Sequence, residues 1–218
     1  MDTSKLRLYH LGDICTPGLI INDILGEKNK KLFMLGNYAF NDILAYLEDD
    51  DLDSIYDRGL LEVMAEQKNW VKHTKYNFMF NHDYTTSDDM AITNYEQVAE
   101  RFQEKLRDWR TMRDDSESDV VFVHCSVRLP VRELRVREMM AALRKQRPAG
   151  NIHLLIFTDQ PVTEEDAGVA SEVPNVTLMR VEGHERIMYP WELHGDDRAN
   201  AEAHVHAKFL KGLAAINR

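Results

Sequence analysis

Two rhythms of hydrophobic positions alternate along this chain. Leu6 to Leu11 reads as a short strand that ends at Gly12-Asp13, and beyond Thr16-Pro17 the apolar residues from Leu19 to Leu25 recur at helical spacing. Lys31 to Leu35 is a second short apolar run. Phe40, Ile43, Leu44 and Leu47 then follow at helical spacing until the acidic stop Glu48 to Asp51. From Asp53 to Asp89 no period is sustained, so the stretch is predicted to be largely loop, with a short helix near Leu60 to Gln67.

The second half is more regular. Tyr95, Val98, Phe102, Leu106 and Trp109 line one face of an amphipathic helix. Val120 to Val123 is a continuous β-branched and aromatic run of the kind a parallel sheet buries on both faces. A helix over about Val131 to Lys145, a strand Ile152 to Phe157, a connection opening at Thr158-Asp159, a strand Val176 to Val181 and a helix near Arg198 to Ile216 complete the pattern. The alternation predicts an α/β fold: an open, mostly parallel, Rossmann-like sheet with helices on both faces. One domain over residues 1–218 is expected, with an N-terminal half to about residue 93 and a nucleotide-binding-like half from about 94. Ligands of such sheets bind beyond the carboxyl ends of the strands, so chemistry is sought directly after each one.

Charge and composition narrow the partners. A net charge of −10 argues against general binding to a nucleic-acid backbone, which needs clustered cations, although the basic residues between Arg128 and Arg147 could still hold a small anion. No apolar run reaches the roughly 18–20 residues of a membrane span. Met1 to Gly12 lacks the features of a secretory signal, so a cytoplasmic location is expected. The two cysteines, Cys15 and Cys125, do not suggest a disulfide framework. The scattered histidines, without Cys-x-x-Cys or His-Glu-x-x-His, predict no metal site, and no resident cofactor is expected. His204 and His206 point to different helix faces.

Two post-strand segments concentrate candidate chemistry: His124-Cys125-Ser126-Val127-Arg128 and Thr158-Asp159. The first is not a phosphatase loop, because Arg132 falls one position late for the spacing His-Cys-x5-Arg and the glycines that curl amides around phosphate are missing. Asp49-Asp50-Asp51 follows a helix, unlike the Asp-x-Asp of metal-dependent glycosyltransferases. Tyr189 to Asp196 combines aromatic surface with carboxylates, as sugar sites do.

The segment Val121 to Asp159 resembles the donor-binding half of fucosyltransferase-like glycosyltransferases, in which a strand ends in His-x-Arg, a helix follows, and the next strand ends in Ser-Asp or Thr-Asp; here the spacing from His124 to Arg128 is longer. That resemblance implies that Arg128 contacts a nucleotide diphosphate and that Thr158-Asp159 packs against the nucleotide. Separately, Leu11-Gly12-Asp13-Ile14-Cys15 and Phe80-Asn81-His82-Asp83 resemble the LGxxC and HD segments of an uncharacterised family labelled as papain-like cysteine peptidases. This implies Cys15 as nucleophile, His82 as base and Asp83 as its orienting partner.

The leading expectation is an enzyme: a metal-independent glycosyltransferase acting on a nucleotide-sugar donor and a glycan or other hydroxyl acceptor. Gly12, His124, Arg128, Arg132, Thr158 and Asp159 would bind the donor, and Asp13, His82 or Asp83 would supply the base. The alternatives are a cysteine hydrolase using Cys15 and His82, and a noncatalytic nucleotide- or sugar-binding module.

Overall fold

A computed structural model describes residues 6–13, 31–33, 36–49, 51–67, 70–181 and 195–216. Four parallel strands form the main sheet in the order β1 (Leu6–His10), β5 (Asp119–Ser126), β6 (Ile152–Thr158) and β7 (Val176–Arg180). On the other edge of β1, Leu11 forms a parallel bridge with Phe33. The chain therefore steps to one side of β1 at Phe33 and later to the other side at β5. That reversal is the topological switch point at which open α/β sheets place their ligands.

The continuous apolar runs have the expected consequence. Tyr9, Val120, Phe122, Leu154 and Ile156 face one layer, packing with Ile43 and Leu47 of α1 (Phe40–Glu48), Phe102, Leu106 and Trp109 of α2 (Tyr95–Asp114), and Met139 and Leu143 of α3 (Val136–Gln146). Leu8, Val121, Val123, Leu155 and Phe157 face the other layer, against Val205 and Phe209 of α5 (Gly195–Ile216). Phe209 stacks on Phe157 with ring centroids 5.4 Å apart. The fold is thus the open, parallel α/β sheet with helices on both faces that the pattern predicts.

Three local differences matter. The stretch predicted as loop with a helix near Leu60 to Gln67 is instead an antiparallel sheet of β2 (Leu61–Val63), β3 (Val71–His73) and β4 (Met79–Phe80), preceded by 3-10 turns at Leu52–Tyr56 and Arg58–Leu60. Leu61 and Val63 alternate with exposed Glu62, a period of two that the helical reading overlooked, and Met64 N–H closes on the Trp70 carbonyl. An unpredicted helix, α4 (Glu164–Glu172), follows β6, opened by a capping box in which Thr163 and Asp166 exchange side-chain and backbone hydrogen bonds. Finally, β5 extends through Ser126, so His124 and Cys125 lie inside the strand and not beyond it. The predicted helix at Leu19 to Leu25 lies outside the described residues.

A buried guanidinium locks the layers together. Arg147, just past α3, donates to the Met112 carbonyl at 2.7 Å and to those of Asp115 and Ser118, joining the end of α2 to the start of β5. Replacing Arg147 with Met leaves these carbonyls without their donors, each orphaned acceptor costing about 1–3 kcal/mol. Urea denaturation is expected to show a loss of about 3 kcal/mol; a loss below about 1 kcal/mol would mean that water replaces the guanidinium.

Candidate functional site

The switch point is assembled from the ends of β1 and β5 and the start of α1. Gly12 follows β1 with φ +64°, and a Cβ there would lie 2.0 Å from the Tyr38 carbonyl oxygen and 3.2 Å from the Ile43 side chain. Only glycine lets β1 end so close beneath the entry to α1. The Cys125 amide donates to the Gly12 carbonyl at 3.3 Å, fixing this turn against β5.

Asp13 is consequently turned inward. Its side chain is 4% exposed, whereas that of Arg128, whose Nε lies 3.3 Å from Asp13 Oδ1, is 45% exposed. Oδ1 has no hydrogen bond. Burial pushes the Asp13 carboxyl up to about 6, against the pull of Arg128 and a smaller contribution from the Val127 and Arg128 amides, while the charge of Asp42 pushes it further up. Asp42 sits half-buried in the first turn of α1 and accepts a 3.4 Å hydrogen bond from Asn77 Nδ2. Burial raises its carboxyl as well, although Asn77, Arg128 and Lys72 of β3 oppose the shift.

Two imidazoles lie beneath. His124 Nδ1 donates to the Leu11 carbonyl at 2.6 Å, which fixes the tautomer, and its ring meets Phe40 edge-on with centroids 4.6 Å apart. Burial lowers His124 to about 4. Burial, with His124 close by, lowers His10 to about 3, against a weaker opposing pull from the backbone of Phe33 and Gly12. Both rings are neutral near pH 7 and buried. His124, predicted to bind the donor, is therefore packed beneath the ends of the strands.

The neighbouring strand end is stitched to the same rim. Ser126 pairs in register with Thr158, Thr158 Oγ1 accepts from the Gln160 amide at 3.1 Å, and Gln160 Nε2 donates to the Val127 carbonyl at 3.1 Å. Thr158 is buried and Asp159 is partly exposed beside it. Arg132 is committed elsewhere, lying 3.5 Å from the buried Asp166 carboxylate and 3.9 Å from Glu165. Arg135 and Arg137 face Glu138 and Glu172, and Arg147 is turned to backbone carbonyls, so these three do not join Arg128 in a shared anion site.

The second candidate centre belongs to α2. Asp83 is buried with Lys105 Nζ 3.7 Å from its carboxylate, and its carbonyl accepts from Asn94 and Arg101. His82 is exposed. No hydrogen bond or ion pair among the described residues links His82 or Asp83 to Asp13 or Arg128. Asp49 is held by Tyr76 at 2.7 Å and by Lys75. Cys15 and residues 189–194 lie outside the described residues. No cluster of three metal-ligating side chains occurs among the described residues, and no described helix is long and apolar enough to cross a membrane.

The structure thus joins Gly12, Asp13, His124, Arg128 and, along the rim, Thr158 and Asp159. It adds His10, Asp42, Lys72 and Asn77, which the sequence reading passed over. Asp42 carried one available signal, as an acidic residue in a first helical turn. His10, Lys72 and Asn77 carried none, since only the packing of distant segments gathers them. Chemically, the arrangement offers a buried carboxyl that exchanges protons near neutrality beside a guanidinium open to solvent.

The architecture is that of an open parallel α/β protein. No family model matches the chain, and no curated protein or solved structure matches it.

The Asp13 shift has a stability consequence. A carboxyl whose folded value is raised from 3.8 to about 6 contributes stability below its unfolded value and loses it as pH rises towards about 6. Asp13→Asn is therefore expected to be more stable than the parent at pH 7.5 by about 2–3 kcal/mol, with no such advantage at pH 4. Comparison at matched pH cancels His10 and His124, whose depressed values act in the opposite sense, removing stability as pH falls below about 6.5. Thermal melts would check this; a destabilised Asp13→Asn at pH 7.5 would show that the Arg128 pair outweighs burial.

Proposed function

We propose that the chain is an enzyme that transfers a sugar from a nucleotide-sugar donor to a hydroxyl acceptor without needing a metal ion. The observation that carries this reading is the Asp13–Arg128 pair at the β1/β5 switch point, 3.3 Å apart with one partner buried and the other half exposed. A guanidinium presents a rigid fork of donors that suits phosphate oxygens. Its charge offsets the negative charge that builds on the departing diphosphate, the task a divalent ion performs elsewhere.

In this scheme the acceptor oxygen attacks the anomeric carbon while the bond from that carbon to the diphosphate oxygen breaks, its electron pair leaving with the nucleotide. The acceptor proton passes to Asp13, whose value of about 6 suits a base working near neutral pH. Asp13 is the base because Asp83 is engaged with Lys105 and His82 is exposed without a described link to Arg128. Thr158 and Asp159 would border the nucleotide, and Gly12 and His124 would shape the floor.

The test is a thermal-shift series with nucleotide sugars, followed by a transfer assay in excess EDTA. Stabilisation by one nucleotide class is expected through mass action, with turnover retained in chelator. Arg128→Ala is expected to weaken donor binding at least about tenfold, a charge-assisted contact being worth about 1.5–3 kcal/mol. Asp13→Asn is expected to keep the donor and lose about 100-fold or more in kcat. Donor binding untouched by Arg128→Ala would sink the assignment, and binding without turnover in the parent would make the chain a noncatalytic module.

A further inference from the structure

The Asp13–Arg128 pair sets two demands on one cation. Asp13 is almost wholly buried, its Oδ1 has no hydrogen bond, and Arg128 is its ion-pair partner among the described residues. The other charged or titratable groups around it give little relief. Asp42 on α1 is negative and opposes ionisation, and Lys72 on β3 acts chiefly on Asp42. His10 of β1 and His124 of β5 are buried and neutral, and the Cys125 thiol is pushed up by burial, with Asp159 and Asp13 adding to the shift. Beside the Val127 and Arg128 amides, the ionised form of Asp13 therefore depends most on the position of the Arg128 guanidinium. Yet Arg128, half exposed at the rim, is also the group placed to meet an anionic ligand.

We propose that Arg128 is a counter-ion shared in turn by Asp13 and the diphosphate of the incoming ligand, so that ligand binding is accompanied by uptake of a proton at Asp13. The inference rests on the reading of the crevice as a diphosphate site and adds a linkage that the reading does not require. Once the guanidinium turns to the phosphate oxygens, Asp13 faces burial, Asp42 and a new anion with less compensation, and its affinity for a proton rises. The share of Asp13 that stays ionised is a stronger base once the donor has arrived, while the protonated share must release its proton before transfer, which favours an order of donor first and acceptor second.

Isothermal titration calorimetry on the full chain tests this, with UDP-glucose and GDP-mannose as probes. Their diphosphates are esterified at both ends and have no group titrating between about pH 5 and 8, so any proton taken up belongs to the protein. Titrations at pH 7 in PIPES and in Tris, whose ionisation enthalpies differ, report the number of protons. Uptake of a few tenths of a proton per site is expected for the parent and none for Asp13→Asn, which should bind at least as tightly. The parent's affinity should also rise several-fold from pH 8 to pH 6, a measurement that stands even if Asp13→Asn does not fold. Binding without uptake, or uptake that persists in Asp13→Asn, overturns the shared counter-ion and leaves the diphosphate site intact. Binding of neither probe overturns both.

Discussion

The close approach of Gly12 to the Tyr38 carbonyl is the constraint on which the site depends. With 2.0 Å between that oxygen and the position a Cβ would take, β1 can pass beneath the entry to α1 only without a side chain. This contact turns Asp13 inward and brings the first turn of α1, with Asp42, over the end of β5. It also seats Phe40 on His124. A larger residue would have to push α1 away, and the carboxylates, the guanidinium and the buried imidazole would lose their common geometry together.

The groups gathered there oppose folding near neutral pH or in acid. A buried carboxyl raised to about 6 favours the unfolded chain once it ionises, and buried imidazoles lowered to about 3 and 4 do so in acid. Their cost is offset elsewhere, by strands buried on both faces and by Arg147, which satisfies carbonyls at the end of α2 and the start of β5. A local cost at a group of buried titratable side chains, offset by the apolar layers around it, is what is expected where a structure gives up local stability for chemistry.

Legibility followed the length of each periodic signal. The helix Tyr95–Asp114 and the parallel strands were readable because both faces of each strand, or one face of a long helix, must be apolar. The small antiparallel sheet was not, since β2, β3 and β4 have only three, three and two residues, too few to establish a period. Thr163 with Asp166 was a usable helix-start signal that passed unnoticed between two stronger elements. In the crevice, Gly12, Asp13 and Arg128 were found because they follow strands. Asp42 and Lys72 were not, because Asp42 meets Asp13 and Arg128, and Lys72 meets Asp42, only through packing of segments far apart in sequence.

Strand length also decided which polar residues reach solvent. Had β5 ended at Val123, His124 would have stood at the rim beside a ligand. Because the strand runs through Ser126, alternation along it turns His124 towards Phe40 and places Cys125 with the layer beneath α5. The rim then falls to residues just beyond the true ends of β1, β5 and β6, namely Asp13, Arg128 and Gln160. Asp13 and Arg128 form the ion pair, and Gln160 ties the third strand's turn to Val127, the residue before Arg128. The buried histidine and thiol near that rim are the pieces of strand on which the exposed chemistry rests.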